Sequence, residues 1–483
     1  MKNYNAIIIG AGPAGIFTAL ELYEKLPESF RVLVVDEGKS IDRRACPARS
    51  GGVCVRCKPC NIMSGWAGAG AFSDGKLSLN ENVGGNITDY MSVAEARQLI
   101  AYADGLYMRF GAPDEVFGRS DKKVEEIAYE CSKHNIQLIP CPVRHMGTEY
   151  SYTILKAMYD RLAGVEGFTF MAETHADPVI SDGRATGAVL TFKDGSTEEV
   201  SADFVIAAPG RGGADWLSKI AKAHDLKVTN NEVDIGVRVE CPNSVMDRVT
   251  KSLYEAKMVY YSDTFESKVR TFCMNPGGIV SEEHYNAGFN EFRKSLAVVN
   301  GHSYADSSSH TDNTNFALLV STRFTEPFDR PIEYGRYIAQ LGNMLTGGNV
   351  IVQRLGDLLL GRRTDASRLK KSTTVPTLTT AVPGDLSFVL PHRHLTSIIE
   401  ALRAFDNICP GLYSKNTLLY GVEVKFYSSK IEVSDKFETG VKALYAIGDG
   451  AGITRGLMQA SVTGVVVARD IAEKVSGSQD RPQ

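Results

Sequence analysis

The sequence predicts an α/β protein: a three-layer Rossmann-like dinucleotide-binding domain, with a parallel sheet plus a β-meander, interrupted by an inserted α+β domain. Three observations predict it. A short apolar strand, Ala6-Ile7-Ile8-Ile9, runs into Gly10-Ala11-Gly12-Pro13-Ala14-Gly15 and then an amphipathic helix. Alternating strands between 168 and 200 lead into a second apolar strand that ends in Ala208-Pro209-Gly210. A third apolar strand, Ala443-Leu444-Tyr445-Ala446-Ile447, ends in Gly448-Asp449, with a helix after it. Strand, helix and strand in succession give parallel pairing, and the meander supplies the antiparallel part.

Each glycine of the first motif answers a separate need. Gly10 makes the tight turn, Gly12 lets the backbone approach a pyrophosphate, and Gly15 lets the helix pack close to the strand. The helix over 14–26 presents free N–H groups and the positive end of its dipole to phosphates. The next strand, 31–35, ends at Asp36, where a carboxylate would accept ribose hydroxyls. A lone glycine fingerprint is a weak signal; strand, helix and terminal acid together make it a strong one.

At 483 residues the chain exceeds one compact core, so two or three folding units are expected. The dinucleotide domain takes 1–85, 164–225 (meander and return strand) and 431–475. Residues 86–163 form a helical connection, periodic over 93–109, 121–134 and 152–162. The inserted α+β domain, expected to face the substrate, spans 226–430, and 476–483 is a flexible tail. A formal net charge of -4 argues against a nucleic-acid binder. No apolar run approaches the ~20 residues of a membrane-spanning helix. The polar start leads directly into a buried strand without a signal peptide, and a cytoplasmic location is expected.

The Gly10–Gly15 fingerprint and the strand ending at Gly448-Asp449 together resemble the two halves of a glutathione-reductase-type FAD flavoprotein. That resemblance implies FAD as cofactor. It places Asp449 near the ribityl-phosphate region and the helix start Gly456-Leu457-Met458 at the flavin's pyrimidine edge, where a helix N-terminus stabilises negative charge. Gly10, Gly12, Pro13, Ala14, Gly15 and Asp36 form the first part of the expected cofactor set. Glu37, Arg44, Gly70, Gly210 and Gly448 extend it. A narrower resemblance, to an uncharacterised FAD-dependent dehydrogenase family of bacteria and plastids, covers most of the chain. It is carried by Cys54-Val55-Arg56-Cys57-Lys58-Pro59-Cys60-Asn61, Ala69-Gly70-Ala71-Phe72-Ser73-Asp74-Gly75-Lys76-Leu77 and Arg144-His145-Met146-Gly147-Thr148. Thr271-Phe272-Cys273-Met274-Asn275-Pro276-Gly277-Gly278, Pro383-Gly384-Asp385-Leu386 and Tyr420-Gly421-Val422-Glu423 complete it. The sequence departs from that family at Asn275, where a second cysteine is expected beside Cys273, and at Ile453-Thr454-Arg455, which replaces a glycine-rich turn.

Nine cysteines are present, and four fall in one loop: Cys46, then Cys54, Cys57 and Cys60 spaced C-x-x-C-x-x-C. Thiolates so spaced can converge on a [4Fe-4S] cluster or a zinc ion. Gly51-Gly52-Val53-Cys54 also resembles the redox-cysteine segment of disulfide reductases, although the spacing is not that family's usual one, so thiol exchange of Cys54, Cys57 and Cys60 with a flavin is the second reading. Plain packing is the third reading. Arg56 and Lys58 would lower neighbouring thiol pKa values. Lys76 can pair with a carboxylate or the flavin, or lie solvated in its loop. His145, after Arg144, can donate a proton or hold an acidic substrate, or be structural. Cys273 reads as a core thiol, and His302, His392 and His394 as surface or packing residues. No second fingerprint for a nicotinamide cofactor lies between Asp160 and Tyr285. Electrons are therefore expected from transient NAD(P)H, a protein donor or the substrate.

The expected function is an FAD-dependent oxidoreductase acting on a small organic substrate. A flavin plus iron–sulfur electron-transfer enzyme, and a non-catalytic FAD-binding partner protein with a zinc-held docking loop, are the alternatives.

Overall fold

The structure, a computed structural model, describes residues 3–47, 55, 57–119, 121–229, 232–286, 295–304, 307–325, 327–328, 330–425 and 429–479. It divides into two compact units. The first joins Met1–Asp114, Arg144–Thr229 and Ser428–Gln483; the second joins Glu115–Val143 and Asn230–Tyr427.

The first unit is built on a sheet whose parallel core runs Phe168–Met171, Val32–Val35, Asn3–Ile9, Thr197–Ala207 and Leu444–Ala446. Buried on both faces, these strands are near-continuous apolar runs such as Val32-Leu33-Val34-Val35. The return strand Thr197–Ala207 does two jobs. Its first half pairs antiparallel with the meander strand Arg184–Phe192, which pairs with Thr174–Ser181. Its last three residues, Val205 to Ala207, take Leu444–Ala446 in parallel. The strand is therefore longer than expected, fusing 198–200 with the apolar run that follows.

The fingerprint helix, Pro13–Lys25, is buried along Ala14 to Leu22 because the C-terminal helix, Leu457–Gln479, lies against it. Gly464 makes the close approach possible: a Cβ there would stand 2.2 Å from the Ala14 carbonyl oxygen and 2.8 Å from the Thr18 nitrogen. Glu21, fully buried on the fingerprint helix, accepts from Arg469 Nε at 2.7 Å and from the Tyr102 hydroxyl at 2.5 Å. One carboxylate thus ties three helices together, the third being Val93–Arg109. The C-terminal helix runs past the expected tail boundary to Gln479.

The second unit holds an eight-stranded sheet among the described residues. Its centre is Leu418–Lys425, Val233–Pro242, Asn313–Thr322 and Lys268–Asn275, all antiparallel neighbours. Along Val233–Pro242, Val233, Ile235, Val237, Val239 and Cys241 join an apolar core with the helices Asn243–Leu253 and His392–Asp406. The residues between them, Asp234, Arg238 and Glu240, put charge on the opposite face although all three are fully buried. The stretch expected as a single helical connection over 86–163 splits. Val93–Arg109 and Gly147–Ala163 belong to the first unit, whereas Lys122–Lys133 and Ile136–Ile139 belong to the second. The reason is apolar matching: Val124, Ile127 and Cys131 join the second unit's core, and Ile136–Ile139 pairs with Lys257–Tyr261. Among the described residues no helix is long and apolar enough to cross a membrane.

Overpacking the helix crossing gives a direct check. Gly464→Ala is expected to destabilise the protein by about 1–3 kcal/mol, because the added methyl meets backbone that cannot swing aside. Gly477→Ala, on the same helix with nothing within 4 Å of its Cβ position, is expected to be neutral or stabilising by up to ~1 kcal/mol. Denaturant midpoints of the two variants decide it.

Candidate functional site

The three fingerprint glycines have different surroundings. Gly10 has φ +109°, and a Cβ on it would lie 2.1 Å from the Ala208 carbonyl oxygen. Gly15 would press a Cβ to 2.1 Å from the Gly10 oxygen. Gly12 differs: a Cβ there would meet nothing within 4 Å. Its open side lies at the helix N-terminus, where no side chain caps the backbone and the first turn contains no acid. A cradle of open backbone at an uncapped helix start fits a phosphate group. Beside it, the Ala67 N–H donates to the Ala11 oxygen at 2.7 Å. Gly68 comes so near that its Cβ would stand 3.2 Å from Gly12 Cα.

Asp36 uses its carboxylate differently from the expectation. Its Oδ2 accepts from the Ala11 N–H at 2.9 Å, and its Oδ1 from Gly38 at 2.8 Å and Gly65 at 2.6 Å. Both oxygens hold backbone around the cradle, so a ribose hydroxyl would have to share them. Glu37, the next residue, is half exposed and hydrogen-bonded to His175 Nδ1 at 2.6 Å. Arg44 turns away from a ligand role. It donates to the carbonyls of Asn61 at 2.9 Å, Ile62 at 2.6 Å, Gly68 at 2.8 Å and Trp66, clasping the end of the cysteine loop. Burial pushes its pKa down to about 10, against the pull of Asp36. Gly70 is a packing glycine between Pro13 and Leu457, with a Cβ position 3.2 and 3.1 Å from their side chains.

The second motif arrives at the same cradle from the chain's far end. Gly448 has φ +73°, and its Cβ position is 3.2 Å from Ala14 Cβ. Asp449 accepts from the Thr454 hydroxyl at 2.7 Å and pairs with Arg211 Nε at 3.4 Å. Sequence reading did not assign either partner to the site. Thr454 sits in the segment that departs from the glycine-rich turn, and its hydroxyl is a donor that glycine would lack. Gly210, φ +62°, lends its carbonyl to a close contact with Gly450. The C-terminal helix begins at Leu457, after Gly456, and is anchored there by Gln459 Nε2 bonded to the carbonyls of Glu81 at 3.0 Å and Val83 at 3.1 Å. The Met458 side chain is core, so only its backbone is left to serve a flavin.

Lys76 is not solvated: its side chain is 8% exposed and its Nζ pairs with Asp74 at 3.0 Å. His145, buried, lies on Val143–His145, the strand that pairs with Lys76–Ser78, so these two candidates share one small sheet. Arg144 clamps Asp104 through two bonds of 2.7 Å. Cys54, with Arg56 and the Gly51-Gly52-Val53 segment, lies outside the described residues. Cys46, Cys57 and Cys60 are free thiols, and among the described residues no group of three or more His, Cys, Asp or Glu gathers to hold a metal. Cys273 is not a core thiol: it is partly exposed with φ +45°. Asn275, standing where a second cysteine was expected, donates to the Cys273 carbonyl at 3.2 Å and to Asn315 Oδ1 at 3.1 Å. His394 is a packing residue, bonded to the Thr322 hydroxyl, with a pKa that burial pushes down to about 4.

Comparison with known families agrees with this geometry. Residues 5–236 match the FAD binding domain family, and residues 232–426 match the C-terminal domain-like family of FAD-dependent proteins. Residues 5–236 therefore carry an FAD-binding domain. This flavoprotein is 26% identical over 498 residues to an uncharacterized protein of Clostridium beijerinckii, spanning 97% of this chain and 80% of that one. Among solved structures, a mutant quinol fumarate reductase FrdA of E. coli aligns at 14% identity and TM-score 0.42, covering 100% of this chain and 72% of its own. A mutant formate oxidase of Aspergillus oryzae aligns at 11% identity and TM-score 0.44, covering 99% of each chain.

Two measurements follow from the flavoprotein's cradle. Gly12→Ala is expected to leave the apoprotein's melting temperature unchanged and to weaken FAD binding at least tenfold. Gly10→Ala and Gly15→Ala are expected to lower the apoprotein's stability itself, since the Cβ in each meets backbone. The His175–Glu37 pair predicts a pH dependence. The Glu37 hydrogen bond raises the His175 pKa above 6.5, so this contribution is present below pH 6.5 and fades as pH rises through the raised value. The same bond lowers the Glu37 pKa below 4.5, so that contribution is present above pH 4.5 and fades as pH falls through the lowered value. Wild type should therefore exceed His175→Gln in stability most clearly between pH 4.5 and 6.5, by less than ~1 kcal/mol for so exposed a pair.

Proposed function

We propose that the chain holds one FAD in the first unit and uses it to oxidise or reduce a small organic substrate, with electrons exchanged through transient NAD(P)H or a protein donor. The observation that carries this reading is the open side of Gly12 at an uncapped helix start, with Gly448 and Asp449 brought beside it. When bound, FAD supplies the hydride or electron chemistry. The residues of the chain do the rest. The backbone around Gly12 would hold the pyrophosphate, and Asp36 keeps that backbone and Gly65 in register. Asp449, fixed from two sides by Thr454 and Arg211, would receive ribityl or ribose hydroxyls in a set orientation. The start of the Leu457–Gln479 helix, pinned by Gln459, would face the flavin ring system with its positive dipole end. A fixed dipole lowers the energy of charge on a reduced ring without reorganising. His145 beside the Lys76–Asp74 pair is the proposed source of a proton.

The test is an anaerobic preparation analysed for flavin, iron, zinc and sulfide, followed by titration with NADH and NADPH. About one FAD per chain is expected, bleached by a nicotinamide donor and restored when an acceptor is added. A protein that neither retains nor rebinds FAD would overturn the reading. Iron and sulfide at about four per chain would replace it with the electron-transfer alternative built on Cys46, Cys54, Cys57 and Cys60. Stoichiometric zinc without turnover would favour the docking-loop alternative.

A further inference from the structure

The second unit carries a buried charged face for which the flavin cradle gives no reason. Where Val237, Val269 and Val424 face the apolar core, their strand neighbours Arg238, Arg270 and Lys425 point the other way, together with Asp234, Glu423 and Phe272. Three cations surround the Phe272 ring: Lys257 Nζ is 4.9 Å from its centroid, Arg270 Cζ 5.1 Å and Lys425 Nζ 5.8 Å. Their side chains are only 11%, 20% and 10% exposed. Lys257 pairs with Glu255, and Arg270 with Asp234. Among the described residues Lys425 pairs with Glu423, at 2.9 Å, and shares it with the fully buried Arg238, which grips both oxygens of that carboxylate at 2.8 and 2.7 Å. Glu240, the next acid along the strand, is bonded instead to Tyr420, Thr377 and Asn313.

Lys425 stands in a poorly solvated space beside two other cations and divides one carboxylate with Arg238, so an anion placed against it would gain more than it would in water. The Phe272 ring offers an apolar surface for whatever carries the anion. The backbone is shaped around the group. Pairing is irregular between Phe272 and Asn275 on one strand and between Gly236 and Arg238 on another, and Cys273 in the first irregularity has φ +45°. Bulges of this kind re-aim side chains, and a non-glycine residue kept in the left-handed region persists where its surroundings demand it.

We propose that this face binds the carboxylate of a small organic acid, with the acid's apolar body against Phe272. The proposal concerns a ligand site of the second unit by itself and goes beyond the flavin reading of the first unit.

The test is calorimetric titration of the flavin-loaded full chain, at low ionic strength, with benzoate, benzamide and inorganic phosphate. Benzoate is expected to bind at least tenfold more tightly than the neutral amide or the ring-free anion. Lys425→Met, which leaves the Arg238–Glu423 pair in place, should weaken benzoate binding at least tenfold; Phe272→Leu should weaken it severalfold. A thermal melt of each variant confirms folding, and either variant alone suffices. Absence of benzoate binding, equal binding of benzamide, tighter binding of phosphate, or unchanged affinity in a folded variant would overturn the proposal. Flavin content read in the same samples separates the two ideas: lost benzoate binding with FAD retained counts against this inference alone.

Discussion

The first unit depends on two helices that could not approach each other without one glycine. The fingerprint helix and the C-terminal helix come from opposite ends of the chain, and Gly464 lets the second reach the Ala14 and Thr18 backbone of the first. That contact delivers Gly448 and Asp449 to the cradle that Gly10, Gly12 and Gly15 form. Glu21 reinforces it, since a fully buried carboxylate must keep partners such as Arg469 and Tyr102. The cofactor cradle is thus a product of helix packing as much as of the glycine loop.

Much of this unit was legible in the sequence because its signals are local. A strand, a glycine turn and a helix within a few dozen residues fix their own geometry, and the alternation of the meander sets its pairing. What was not legible depends on partners distant in sequence. Asp36 ends its strand as expected, yet its oxygens go to Ala11, Gly38 and Gly65, a choice fixed by how the following loop folds back. Arg44 was expected among the cofactor contacts, and only the folded loop shows four backbone carbonyls converging on it. Thr454 looked like a departure from pattern and proves to be a donor to Asp449.

The second unit was the least readable part. Its strands have fully buried charged residues at alternate positions, so Val233–Pro242 lacks the polar, solvated face that an antiparallel strand usually shows. Charge of that kind is tolerated only when paired, and the pairing of Arg238 with Glu423 joins strands far apart in the chain. Similarly, 115–143 carries nothing that names its home; it belongs to the second unit because its apolar residues complete that core.

The chain order of these pieces bears on how the protein is made. Every residue of the second unit precedes Ser428, whereas the first unit still needs Leu444–Ala446 and Leu457–Gln479. On the ribosome the second unit can complete its core while the first holds an unfilled sheet edge beside Val205 to Ala207 and an uncovered fingerprint helix. Such edges and apolar faces invite mispairing during synthesis. An FAD site that needs both ends of the first unit can form only once the Leu457–Gln479 helix has emerged.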